Sequence, residues 1–182
     1  ATWSPFHGAV YAVLLSVTRL VAMGADWRKA YLTLQEYFEK LGNKPEKWGK
    51  PLASLLGAYD AQMNLELAAI GGKDSMSGSF QDINVPPTLI SFACANGEKK
   101  NIISPEFKKA GNKLYLFHHI PQENGLPDYD KLKQVFGFIY ENIKLQKIVS
   151  VKTVKEGGVA VALAKMSSGN KKVVDLTMLS ML

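Results

Sequence analysis

Val10, Val13, Val17, Leu20 and Val21 are apolar positions spaced by three and four, which predicts a helix over residues 9–23 with one buried face. Ser4-Pro5 suits its start, because serine caps and proline fits a first turn, and Gly24 suits its stop. Residues 31–37 are mixed, with a short strand expected at 31–34. Lys44-Pro45 to Lys50-Pro51 reads as a turn region, and residues 52–70 as a second amphipathic helix. Gly71-Gly72-Lys73-Asp74-Ser75-Met76-Ser77-Gly78 follows, expected to be a small, polar loop rich in glycine. Val85-Pro86-Pro87 then leads into an apolar strand at 88–95 whose composition predicts burial on both faces.

The second part of the chain continues the alternation. A short apolar run at 114–117, helical spacing over 129–143 and strand-like alternation over 148–154 are expected elements. Glu156-Gly157-Gly158 opens an apolar helix through Met166, ended by Ser167-Ser168-Gly169-Asn170, and a last strand is expected at 173–176. Proline, glycine and lysine cluster within 104–113, which places the expected boundary between a domain at 1–110 and a second at 111–182. Ala1 and the apolar run at 176–182 are ends expected of a piece cut from a longer polypeptide, a docked terminal helix being the other reading of that run.

Composition narrows the classes. A chain of 182 residues with 47% hydrophobic content is globular, one domain or one plus part of another. The longest apolar stretches, 9–15 and 159–164, are too short to cross a bilayer, and no membrane partner is expected. The single cysteine, Cys94, forms no intrachain disulfide; it is expected in the core, in a cytoplasmic, reducing setting. The net charge of +6 would attract nucleic acid or phosphorylated small molecules. The lysines, however, fall in separate pairs, with no zinc-finger spacing and no arginine-rich arm, so no nucleic-acid partner is expected.

Residues 71–78 carry the strongest chemical signal. Glycines let a backbone approach a ligand closely, Lys73 is a point charge suited to phosphate, and Ser75 and Ser77 can donate to phosphate oxygens. Asp74 can hold a cation or accept from a hydroxyl. The segment is no Walker A motif, and a plain polar turn is the equal alternative. His7, before the first helix, can touch an anion or simply cap. His118-His119 point to opposite faces if they follow a strand, which disfavours a metal pair. Glu36 and Glu39 are expected in a salt-bridged surface.

Ser4-Pro5-Phe6-His7-Gly8-Ala9, Leu34-Gln35-Glu36-Tyr37-Phe38-Glu39 with Trp48-Gly49-Lys50-Pro51, and the 71–78 segment follow one another in the order of motifs of one family. Val85-Pro86-Pro87-Thr88-Leu89 and Gly157-Gly158-Val159-Ala160-Val161-Ala162-Leu163-Ala164-Lys165-Met166 extend the likeness. In these the chain resembles phosphoribosylformylglycinamidine synthase, with Gly-Lys-Asp-Ser-Met-Ser the most specific element. The resemblance implies an α/β (α+β) fold: an aminoimidazole-ribonucleotide-synthetase-like N-terminal domain with a mixed sheet and packed helices, lacking its first strands, then the start of a C-terminal α/β domain. It implies the second of two tandem copies, within an ATP-dependent carbon–nitrogen ligase that also carries a glutaminase. In that enzyme ATP phosphorylates the amide oxygen of formylglycinamide ribonucleotide, and glutamine-derived ammonia then forms the amidine.

On this resemblance Gly71, Gly72, Lys73, Asp74, Ser75 and Ser77 are the expected phosphate or nucleotide contacts, with His7 a further candidate. ATP and magnesium are the implied cofactors, and the remaining domains the implied partners. The chain departs from the family at three positions. A glutamate and an asparagine four residues later hold magnesium in many of these synthases, and an aspartate precedes the Gly-Gly helix. Leu15, Arg19 and Thr153 stand there instead, and they cannot supply that hard-oxygen set. This half is then expected either to line the paired nucleotide site or to serve as a structural partner. Alone, it is expected to be inactive and to self-associate through an uncovered apolar face.

Overall fold

The computed structural model describes residues 3–172 and 179–181. They form two compact units, neither one continuous stretch. Of the described residues, the first gathers 3–17, 27–95 and 123–126; the second gathers 18–26, 96–122, 127–172 and 179–181. The boundary expected near residue 110 therefore falls inside the second unit.

Helix α1 runs Pro5–Ala22, earlier in its start than the apolar spacing alone implied. Ser4 caps it: its Oγ accepts from the His7 N–H at 3.3 Å. Gly24 ends it at φ +93°, where a Cβ would lie 2.0 Å from the Asn101 carbonyl oxygen. On length and composition α1 would suit a membrane span, but Val10, Val13, Val17 and Val21 are buried in the protein itself. That is the pattern of a core helix.

In the first unit, strand β1 (Tyr31–Tyr37) is longer than expected and lies at the centre of a three-stranded sheet. Helix α2 (Pro45–Leu65) carries the chain to β2 (Ala68–Ser75), which pairs with β1 in parallel; β5 (Thr88–Cys94) pairs with its other edge antiparallel. The region read as a turn is thus the first part of α2, with Pro45 in the first turn, where its missing N–H matters least. Residues 71–75, expected in a loop, belong instead to β2. A parallel crossover brings the chain back as a strand, and at the sheet edge that strand needs no apolar residues.

Alternation along β1 sends Leu32, Leu34 and Glu36 to one face, and the register adds Leu89, Ser91 and Ala93 from β5. Both helices cover that face: Ser16 Oγ meets Ser91 Oγ at 2.9 Å, and Ser54 Oγ donates to Glu36 Oε1. The other face carries Ile90 (38% exposed), Phe92 (52% exposed) and Cys94 in water. Strand β5 is therefore buried on one face only, and Cys94 is exposed rather than in the core. After β2, a short hairpin of β3 (Ser79–Phe80) and β4 (Ile83–Asn84) folds back, tied to β1 by the Gly78 N–H donating to the Phe38 carbonyl at 3.0 Å.

In the second unit, β6 (Leu114–Leu116) pairs in parallel with β7 (Leu179–Met181), so residues 179–181 are strand and not a docked helix. The strand expected at 173–176 lies outside the described residues. Helix α3 (Tyr129–Lys144) is capped by Asp128, which accepts from the Lys131 N–H at 3.1 Å, and buries Leu132, Phe136, Ile139 and Ile143 at helical spacing. Helix α4 (Gly158–Asn170) runs through the Ser-Ser-Gly-Asn stretch expected to end it. Residues 148–154 alternate in sequence but form no strand; Ser150 Oγ donates to the Pro105 carbonyl at 2.8 Å instead.

A paired substitution in α2 tests the packing. A Cβ at Gly57 would lie 2.1 Å from the Phe6 carbonyl oxygen, whereas one at Gly49 would meet nothing within 4 Å. Gly→Ala in a helix gains up to about 1 kcal/mol in propensity, but overpacking costs roughly 1–3 kcal/mol. Denaturant unfolding should show Gly57→Ala destabilised and Gly49→Ala neutral or stabilised.

Candidate functional site

Strand β2 brings Gly71, Gly72, Lys73 and Asp74 to the wall of a cavity of about 310 Å³, with Leu34, Glu36, Leu55 and Leu89 as the remaining lining. Of the expected phosphate contacts, five are strand residues of β2, and Ser77 lies in the segment just after it. A turn-built anion nest is absent from this segment. What β2 presents is the free edge of a sheet, where alternate backbone N–H groups lack a strand partner.

Two of the segment's glycines are required by packing. A Cβ at Gly72 would lie 2.3 Å from the Leu34 carbonyl oxygen, and one at Gly78 would lie 2.2 Å from Val85 Cγ1. Gly71 meets nothing within 4 Å, so its lack of a side chain leaves space beside the cavity. Register places Asp74 opposite Glu36, and Lys73 opposite Gln35. By alternation, Asp74 and Glu36 share the helix-covered face, while Lys73 and Ser75 lie toward the open one.

Glu36 is 5% exposed and accepts from Ser54 Oγ. Burial pushes its carboxyl above the ordinary range, the Ser54 hydrogen bond opposes this, and the nearby Asp74 charge adds to the rise. The expected surface salt bridge is therefore wrong for Glu36, because the strand turns it under α2. For Glu39 the ion pairing is right but the exposure is not: it is 8% exposed and pairs with Lys47 at 2.6 Å and with Lys50, whose hydrogen bonds hold its carboxyl below the ordinary range. Trp48 Nε1 donates to the Gly42 carbonyl at 2.9 Å, so the Trp-Gly-Lys-Pro stretch clamps the loop after β1.

His7 lies outside this cavity, and both its ring nitrogens are engaged. Nε2 is 3.0 Å from the Asn124 carbonyl, which only accepts, so Nε2 carries the proton and Nδ1 accepts from Ser4 Oγ at 2.8 Å. With Tyr11 Oη donating to the Gly125 carbonyl at 3.0 Å, His7 fastens residues 124–125 to the start of α1. His119 has a buried, unpartnered Nε2, and burial lowers its affinity for a proton.

No group of three or more His, Cys, Asp or Glu gathers for a metal among the described residues. Glu36 and Asp74 are the pair the first cavity offers, and one or two carboxylates beside substrate phosphates is the usual way to hold magnesium. In the second unit, Arg19 and Thr153, distant in sequence, line one cavity, and Leu15 lies one turn before Arg19 on α1. None of the three is a carboxylate, so magnesium does not fit there.

The chain is 26% identical over 185 residues to phosphoribosylformylglycinamidine synthase subunit PurL of Thermococcus sibiricus, covering 92% of this chain and 26% of that protein. PurL of Sulfurimonas denitrificans is 29% identical over 182 residues, covering 90% and 24%. Over nine-tenths of its length the chain is similar to part of PurL. It spans about a quarter of the length of the curated relatives it matches. No family model matches it. The same fold recurs in the structure of T. maritima PurL complexed with ATP, at a TM-score of 0.65 and 13% identity, covering 92% of this chain and 27% of that one. PurLQS from Thermotoga maritima gives a TM-score of 0.64 at 15% identity. The mixed α/β architecture expected from the motifs is thus that of PurL.

Glu36→Gln keeps an acceptor for Ser54 and removes the charge. Below the ordinary value of 4.5 both folded and unfolded wild type hold the Glu36 proton. Above it the unfolded chain releases the proton first, so stability falls as pH rises through the raised folded value. The variant should melt with the wild type near pH 4 and a few degrees above it at pH 7, at roughly 2–4 °C per kcal/mol. Equal melting at pH 7 would show that Glu36 ionises without penalty.

Proposed function

We propose that the chain is part of a phosphoribosylformylglycinamidine synthase, the ligase that turns formylglycinamide ribonucleotide, ATP and glutamine-derived ammonia into the amidine. The observation that carries this reading is the PurL likeness in both sequence and fold over nine-tenths of the chain. The greater length of the relatives supports further parts of the same synthase as partners, and in this reading a glutaminase supplies the ammonia. By the same likeness the setting is cytoplasmic.

In this reading β2 supplies phosphate contacts. Lys73 places a cation beside an edge of free N–H groups, and Ser75 and Ser77 add hydroxyl donors. Such fixed donors stabilise charge as it shifts between phosphate oxygens, without having to reorganise. Asp74 and Glu36 would hold magnesium, which neutralises phosphate charge when bound. The open face of the sheet, with Ile90 and Phe92 in water, is the surface another copy of the unit would cover.

The second reading is a structural half that completes a pseudo-symmetric fold without ligand, and Leu15, Arg19 and Thr153 in place of metal ligands favour it. Calorimetric titration with Mg-ATP separates the two. Binding that weakens at least tenfold in Lys73→Ala supports the phosphate role; no binding to the unaltered chain, or binding indifferent to Lys73, supports the structural half.

A further inference from the structure

The second unit holds a cavity of about 240 Å³ that the proposed reaction does not use. Its wall is built from the end of α1, Ile103 and Pro105, the stretch before α4, and α4 as far as Lys165. Four cationic side chains line it, Arg19, Lys152, Lys155 and Lys165, against one carboxylate, Glu156. Among the described residues none of the four cations forms an ion pair, whereas Lys47, Lys50, Lys100, Lys108, Lys131, Lys133 and Lys144 each do. In the same wall, Thr153 Oγ1 is buried and has no hydrogen-bond partner.

We infer that this cavity binds a small phosphate-class oxyanion directly, without a divalent metal. Four cations against one carboxylate repel a metal ion, and a single carboxylate falls far short of the oxygen ligands that magnesium or calcium requires. The same balance attracts an anion. Arg19 offers a planar fork matched to two oxygens of one phosphate, and the lysines offer point charges. The Thr153 hydroxyl, an unpartnered buried group and so a standing cost to the fold, gains its partner from an anion oxygen.

Volume limits the ligand. At about 30 Å³ per water the cavity has room for roughly eight waters, enough for one or two phosphate groups. It falls below the roughly 300 Å³ at which pockets for larger ligands begin. An inorganic or terminal diphosphate is therefore the class that fits, and the inference stands on this unit alone, apart from the nucleotide role of β2.

The test is calorimetric titration of the whole chain with inorganic pyrophosphate, first in EDTA and then in excess magnesium. Binding should appear in EDTA and should not tighten with magnesium. Arg19→Gln combined with Lys155→Gln should weaken it at least tenfold. Lys44→Gln with Lys113→Gln, which removes the same charge elsewhere, should change it less than twofold. Thr153→Val should weaken binding severalfold while the melting temperature holds or rises, an outcome that a hydroxyl serving only the fold would not give. Lys73→Ala should leave pyrophosphate binding unchanged, so that failure of the β2 reading and failure of this site remain distinguishable. No binding in EDTA, binding that requires magnesium, equal loss in the control pair, or indifference to Thr153→Val would overturn the inference.

Discussion

The sheet of the first unit has helices on one face and water on the other, and most of what that unit can do follows from this asymmetry. Strand β1 holds the centre, with β2 parallel on one edge and β5 antiparallel on the other. The close approach of β2 admits no side chain at Gly72, because the Leu34 carbonyl already fills the space. Period-two alternation then sorts neighbours in sequence to opposite faces. Asp74 goes beside the buried Glu36, and Lys73 goes toward the open side. A carboxylate that can attract a metal, Asp74, and a cation that can meet phosphate, Lys73, thus come from adjacent residues of β2, with Glu36 brought beside Asp74 by β1.

The second unit uses its chemistry differently. Residues 148–155 join no sheet, which leaves Lys152, Thr153 and Lys155 to line a cavity with Arg19. Where the PurL resemblance leads one to expect acidic ligands for magnesium, the wall is cationic and one hydroxyl stands unpartnered.

Much of the fold was legible because burial writes a period into the sequence. The stripes of α1 and α3 are clear because each helix buries one face, and Gly24 marks the end of α1, where the chain takes a positive φ. Helix α2 was read short because Pro45 and Pro51 look like breakers, although the first sits in the opening turn. Strand β2 was read as a loop because an exposed edge strand carries no apolar alternation, and only the crossover from β1 demands it. Strand β5 looked buried on both faces because Ile90 and Phe92 are apolar even though nothing in this chain covers them. Around the cavity, the ion pairs of Glu39 could be read from residue type, but the burial of Glu36 could not, since it depends on α2 passing over the strand. The meeting of Arg19 with Thr153 was visible only through the order of family motifs.

The account turns on the uncovered face of the sheet being an interface, and sedimentation velocity across a concentration series tests that most directly. The chain should sediment faster as concentration rises, and Phe92→Lys, which sets a charge in the middle of that face, should return it to a monomer. A clean monomer at high concentration, or association indifferent to Phe92→Lys, would contradict the account.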